Sequence, residues 1–151
     1  MGTIDGKTIC QIGIVVRDLV HSRTAWAEFL GCEPPPIIET ADHSTTGVEY
    51  RGRPTNARAR LVLFHLGPIT LELIEPEGEP SAWSEHLVRQ GEGVHHLAFG
   101  VDAIADKTQV FEQRRWPLVQ QGRFPGGGYA YFETRDTLGC DVELLERDLE
   151  S

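Results

Sequence analysis

Two stretches of this chain are copies of one pattern, and that duplication limits the folds open to it more than any single motif. Cys10-Gln11-Ile12-Gly13-Ile14-Val15-Val16-Arg17-Asp18-Leu19 aligns with His95-His96-Leu97-Ala98-Phe99-Gly100-Val101-Asp102-Ala103-Ile104, which sets Gln11 against His96 at a separation of 85 positions. Each copy is a strand-length apolar run, then an Asp suited to cap a helix, then helical periodicity. A second pair, Leu71-Glu72-Leu73-Ile74-Glu75 and Val142-Glu143-Leu144-Leu145-Glu146, aligns at 71 positions. The first half is therefore longer by 14 residues, a surplus that fits the polar, turn-rich stretch 39–56 and predicts a loop there.

The first opening strand leads into a helix predicted over 19–30, with Trp26, Phe29 and Leu30 on its apolar face and Gly31 as its stop. Its counterpart predicts a helix over 103–115, with Ile104 and Phe111 facing the core and Pro117 beyond its end. Further strand candidates lie at 48–50 and 59–66 in the first half and at 118–120 and 129–134 in the second. The pattern is thus α+β, with each half reading strand, helix, then three strands. Module one covers about 8–76 and module two about 93–147, joined by a linker and short helix over 77–92 whose helical part, 81–90, ends at Gly91.

A length of 151 residues suits one domain, and 40% hydrophobic with 25% charged residues suits a folded globular protein. A formal charge of −9 with no basic cluster repels polyanions, so nucleic acid is not an expected partner. No apolar run approaches the roughly 18 residues of a membrane span, and the N-terminus lacks a leader pattern, so a cytoplasmic protein without membrane contact is expected. Cys10, Cys32 and Cys140 form no CxxC pair, which predicts reduced thiols and no thiolate metal site.

Strand side chains alternate faces, which places the polar residues of the four duplicated strands. Cys10, Ile12, Ile14 and Val16 share an apolar face, leaving Gln11, Gly13 and Val15 on the other. In the copy, His95, Leu97, Phe99 and Val101 share the helix-side face, while His96 lies with the small Ala98 and Gly100. Glu72 is opposed to Leu71 and Leu73, and Glu143 to Val142 and Leu144. Gln11, Glu72, His96 and Glu143 therefore converge from equivalent strands on one face. An amide oxygen, an imidazole nitrogen and two carboxylates suit one divalent ion with positions open for water or substrate. Arg58 and Arg60 alternate on one strand face, and the segment Arg123-Phe124-Pro125-Gly126-Gly127-Gly128-Tyr129 offers Arg123 and backbone N–H groups such as that of Gly127. Arg60, Arg123 and Gly127 are thus candidate contacts to an anionic substrate.

From about Thr8 to Glu146 the chain resembles the vicinal oxygen chelate superfamily, carried by Val94-His95-His96-Leu97-Ala98-Phe99, Val101-Asp102 and the two closing strands. The superfamily includes glyoxalase I, methylmalonyl-CoA epimerase, extradiol dioxygenases, fosfomycin-resistance enzymes and bleomycin-binding proteins. The resemblance implies paired βαβββ modules that form one curled, mostly antiparallel sheet around a metal, here Zn, Co, Ni or Mn, held by Gln11, Glu72, His96 and Glu143. The Gln, Glu, His, Glu order looks like one branch of glyoxalase I, whereas Ser81-Ala82-Trp83 through Leu87 and Gly93-Val94-His95-His96 look like the epimerase. No carboxylate lies near Leu61, where the epimerase resemblance points to a second base, and Val15 stands about where the glyoxalase I resemblance leads one to look for a substrate-gripping arginine.

What the resemblance implies is a metal-dependent isomerase, epimerase or lyase that moves a proton next to a polarised carbonyl of a small carbonyl or thioester substrate. Glu143 is the preferred base and Glu72 its symmetry-related counterpart. Homodimers are common in the superfamily. A non-enzymatic binder of the bleomycin-resistance type is the alternative, and an extradiol dioxygenase is disfavoured because Gln11 stands where that branch has a histidine.

Overall fold

The computed structural model describes residues 1–148. Its strands are β1 (Ile9–Val15), β2 (Ile38–Glu39), β3 (Glu49–Tyr50), β4 (Arg53–Pro54), β5 (Arg58–Leu66), β6 (Ile69–Glu77), β7 (Gly93–Val101), β8 (Leu118–Phe124), β9 (Gly127–Phe132) and β10 (Asp141–Arg147). The helices are α1 (Leu19–Leu30), α2 (His43–Thr46), α3 (Ala82–Gln90), α4 (Thr108–Glu112) and α5 (Arg135–Leu138). All ten strands join one sheet in the order β2-β5-β6-β1-β7-β10-β9-β8-β3-β4.

The duplication is built into that order. β1 and β7 pair antiparallel at the centre, and each is flanked by its parallel partner, β6 beside β1 and β10 beside β7. The remaining pairs are antiparallel. The sheet curls, because Ala59 of β5 and Val119 of β8, distant in strand order, share one buried cluster with Val15, Ile74, Trp83 and Tyr131. Alternate residues point outward. Val62, Phe64, Leu71 and Leu73 pack under α1, and Phe99, Ala130, Phe132, Val142 and Leu144 pack with Phe111 of α4. Among the described residues, no helix is long and apolar enough to cross a membrane.

Local sequence explains the helices that match expectation. The Asp18 side chain accepts from His21 N, and Gly31 closes α1 in the left-handed region at φ 69°. Ser81 and Ser84 form a reciprocal capping box that starts α3.

Four expectations are corrected. Phe29 is 81% exposed. One residue of helix turns the chain about 100°, which carries Phe29 off the face that buries Leu19 and Ala27 and half-buries Leu30. The helix expected over 103–115 is a 3₁₀ turn at Ile104–Asp106, then the five residues of α4, and no side chain caps either piece. Asp102 therefore does not act as Asp18 does. The 39–56 stretch is not one loop, for it holds α2 and the β3–β4 hairpin, and β3 pairs with β8 of the other half.

Candidate metal centre

The four equivalent strands bring Gln11, Glu72, His96 and Glu143 together inside the curl. Gln11 Oε1 lies 3.2 Å from His96 Nε2. Glu72 Oε1 lies 3.6 Å and Glu143 Oε1 3.8 Å from that same nitrogen. His96, Glu143 and Glu72 are buried and Gln11 is half-buried. Among the described residues, no group of three or more His, Cys, Asp or Glu side chains stands at metal-holding spacing as the side chains rest, so the quartet would have to adjust to admit an ion.

The backbone makes this convergence possible at Gly13, which pairs with His96 on one side and Glu72 on the other. A Cβ built on Gly13 would overlap the His96 ring, so the imidazole occupies space over strand β1 that only glycine leaves open. The small residues noted in the sequence, Ala98 and Gly100, stand on the His96 strand itself. The one that matters most stands on the neighbouring strand.

Electrostatically the site is strained in one direction. Burial pushes the Glu72 carboxyl up to about 8. Glu143 is raised well above the usual carboxylate range by burial and then by the charge of Glu72, with Tyr131 partly opposing. Burial, helped by His86, pushes His96 down to about 3, so its ring stays neutral and keeps a lone pair. Glu143 Oε1 is buried without a hydrogen-bond partner, a state that costs roughly 1–3 kcal/mol unless a counter-group meets it. Two buried carboxylate oxygens, an amide oxygen and a neutral imidazole thus form a donor set that a divalent cation would satisfy.

His95 departs from the strict alternation expected of it. Gly13 pairs with His96 but Ile14 pairs with Val94, so β7 carries one extra residue there, a bulge. His95 consequently turns inward, with Nδ1 2.9 Å from His96 Nδ1 and its ring against Tyr131 and His86. Above the quartet, Trp83 donates its indole N–H to the Tyr131 hydroxyl, and Gln120 links Tyr129 to the N-terminus of α3.

The arginine and glycine candidates are not brought to this centre. Arg60 points to the α1 side and pairs with Glu75, which also accepts from Leu19 N. The alternation that turns Glu72 inward turns Glu75 outward, and Arg60 opposes Glu75 in the β5–β6 register. Arg123 pairs with Asp148 at the sheet edge. Gly127 is glycine because a Cβ there would strike Glu146 O of β10, a requirement of sheet packing. Two clefts flank the interior, and none of the four central residues lines either. A polar one of about 130 Å³ touches Arg51, Glu85, His86, His95, Arg135 and Asp141. An apolar one of about 290 Å³ lies on the outer face of the second half, against Ile4, Phe99, Phe111 and Trp116.

The model of the Glyoxalase/Bleomycin resistance protein/Dioxygenase superfamily matches residues 10–132. An uncharacterized Bacillus subtilis (strain 168) protein, YqjC, is 32% identical over 141 residues, covering 90% of this chain and 89% of that protein. Among solved structures, a Streptomyces coelicolor methylmalonyl-CoA epimerase variant in complex with 2-nitronate-propionyl-CoA aligns at 19% identity and TM-score 0.64, covering 96% of this chain and 100% of that one. The Mycobacterium tuberculosis methylmalonyl-CoA epimerase aligns at 20% and 0.64, covering 99% and 93%. A hypothetical protein of Bacillus halodurans C-125 aligns at 20% and 0.65, covering 95% and 96%. At such identities the structural likeness establishes the fold.

Proposed function

This chain belongs to the Glyoxalase/Bleomycin resistance protein/Dioxygenase superfamily, and from that premise we propose that it is a divalent-metal-dependent isomerase, epimerase or lyase acting by proton transfer beside a carbonyl. The observation that carries this reading is the gathering of three oxygens, from Gln11, Glu72 and Glu143, within 3.8 Å of one buried imidazole nitrogen. Gln11, Glu72, His96 and Glu143 would hold the ion. When bound, a divalent cation there would polarise a substrate carbonyl and stabilise the charge that develops on its oxygen.

The chain's own residues supply the proton chemistry. Glu143 has a buried oxygen free of other bonds, positioned to take a proton from a substrate held in the interior. A carboxylate held this close to the reacting carbon acts as a positioned general base. Glu72 approaches His96 from the other half of the sheet, so the two carboxylates serve as a removing and a returning group for one reacting carbon. Trp83, Tyr129 and Tyr131 wall the interior with aromatic surface that excludes water. The substrate class that best fits is an acyl-CoA thioester, supported by neighbours whose structures hold methylmalonyl-CoA and 2-nitronate-propionyl-CoA. The glutamate at position 72 keeps a glyoxalase-type 2-oxo-aldehyde adduct as the second substrate class.

Protein purified without chelators should carry about one equivalent of Zn, Co, Ni or Mn. It should also catalyse solvent deuterium exchange into a member of a panel of acyl-CoA thioesters and 2-oxo-aldehyde adducts. Glu143→Gln should abolish the exchange. Absence of a stoichiometric ion, with ligand binding that survives EDTA and loss of His96, would overturn the proposal in favour of a binding protein.

A further inference from the structure

The mechanism above leaves the buried His95 unused. His95 sits between the donor set and the polar cleft beneath α3, with its ring 1% exposed. Its Nδ1 meets His96 Nδ1 at 2.9 Å, and its Nε2 faces Asp141 Oδ2 at 3.6 Å. Asp141 is itself anchored, since its Oδ1 accepts from the backbone N–H of both Thr134 and Arg135 at 3.2 Å. The three side chains form a line, Asp141, His95, His96, that ends on the nitrogen where the oxygens of Gln11, Glu72 and Glu143 converge.

A neutral imidazole carries one N–H, so the protonation of each ring in such a line sets the next. For His96 to offer its Nε2 lone pair to a cation, its proton must sit on Nδ1. That proton needs an acceptor in a fully buried pocket, and the atom there is His95 Nδ1. His95 then carries its own proton on Nε2, the side that faces the Asp141 carboxylate. The bulge in β7 is what gives adjacent residues this contact, because in regular pleating their rings would lie on opposite faces.

We infer that His95, backed by Asp141, is a positioning residue that holds His96 with its proton on Nδ1 and its Nε2 lone pair turned to the metal site. This rests on the metal reading of the quartet. His95 touches neither ion nor substrate. It acts by fixing the ring orientation and the proton position of the residue that does, as hydrogen-bond partners of metal-bound histidines generally do.

The test compares two variants of the full chain, His95→Phe, which keeps a flat ring but removes the acceptor, and His95→Gln, which keeps an amide oxygen as acceptor. Zinc affinity is read by chelator competition, the fold by thermal melting, and the His96 proton position by long-range ¹H–¹⁵N correlation spectra of the zinc-loaded protein. Expected results are a His96 N–H on Nδ1, a loss of about 10–100-fold in zinc affinity for His95→Phe, and a return to within a few-fold for His95→Gln. Wild-type affinity in His95→Phe, or zinc on His96 Nδ1, overturns this inference alone. So does equal weakening in both variants with melting unchanged, since retaining the acceptor would then restore nothing. A wild-type protein that binds no stoichiometric zinc overturns the metal reading and this inference with it.

Discussion

Gly13 has no side chain at the one place where any other would collide with His96. Replacing it with alanine should push the imidazole off strand β1 and out of reach of Gln11 Oε1, now 3.2 Å away. The expected result is a loss of at least tenfold in zinc affinity, read by chelator competition, with secondary structure retained by circular dichroism. Unchanged affinity would show that the ring has another resting place. A pH effect belongs at this scale too. The Glu72 carboxyl titrates at about 8 in the folded protein against an ordinary value of 4.5, so the folded state holds this proton more tightly than the unfolded chain. Its contribution to stability is full below about pH 4.5 and is lost as pH rises through 8. Metal-free protein melted in EDTA should therefore lose stability over that window. Glu72→Gln should make the slope shallower, with the raised Glu143 supplying what remains, and an equal slope in that variant would remove Glu72 as a source. The quartet was legible because period-two alternation holds along β6, β10 and the relevant part of β1. His95 was not, since alternation says nothing about an inserted residue, and a bulge is set by pairing with a strand 85 positions away.

The two helices of the duplicated pattern diverge for reasons visible in their ends. α1 has a capping Asp18, twelve residues and a left-handed glycine stop, whereas α4 has five residues and no side-chain cap. Duplication of sequence thus preserved the strands more faithfully than the helices. The strands are fixed by pairing on both sides, while each helix depends on its own caps and one buried face. Within α1 the burial pattern separates two large side chains. Leu19→Ala, at a fully buried site, should cost about 2–5 kcal/mol in urea unfolding. Phe29→Ala should stay within about 0.5 kcal/mol, because Phe29 touches little beyond the edge of Trp26. A large loss at Phe29 would mean that the exposed ring is covered by something outside the chain. The sequence misread Phe29 because hydrophobicity alone does not report which of several apolar residues the helix turns inward.

Across the whole molecule, the 39–56 insertion ties the halves together. It leaves the first half at β2, which pairs with β5, and returns at β3, which pairs with β8 at the far side of the order. Tyr50 and Arg51 at the hairpin tip both bond Glu85 of α3, and Arg51 also reaches Glu133. Glu85→Ala should lower stability by about 1–3 kcal/mol. It should also speed proteolysis within 40–56 more than elsewhere, measured by mapping early cleavage sites; uniform cleavage would argue that the hairpin is held by its strand pairing alone. That a stretch of polar and turn residues would cross to the other half was invisible in the sequence, since two-residue strands carry no periodicity to read.

The same short strands end the sheet. β2 and β4 each span two residues, and β4 closes on Pro54, which has no N–H to offer. A sheet of ten strands with long open edges would invite neighbouring chains to add on indefinitely. At the β4 margin only two residues are on offer, whereas at the other margin β2 covers just Arg60 and Leu61 of the nine-residue β5, so 62–66 is the stretch on which a crowding copy would find backbone to extend.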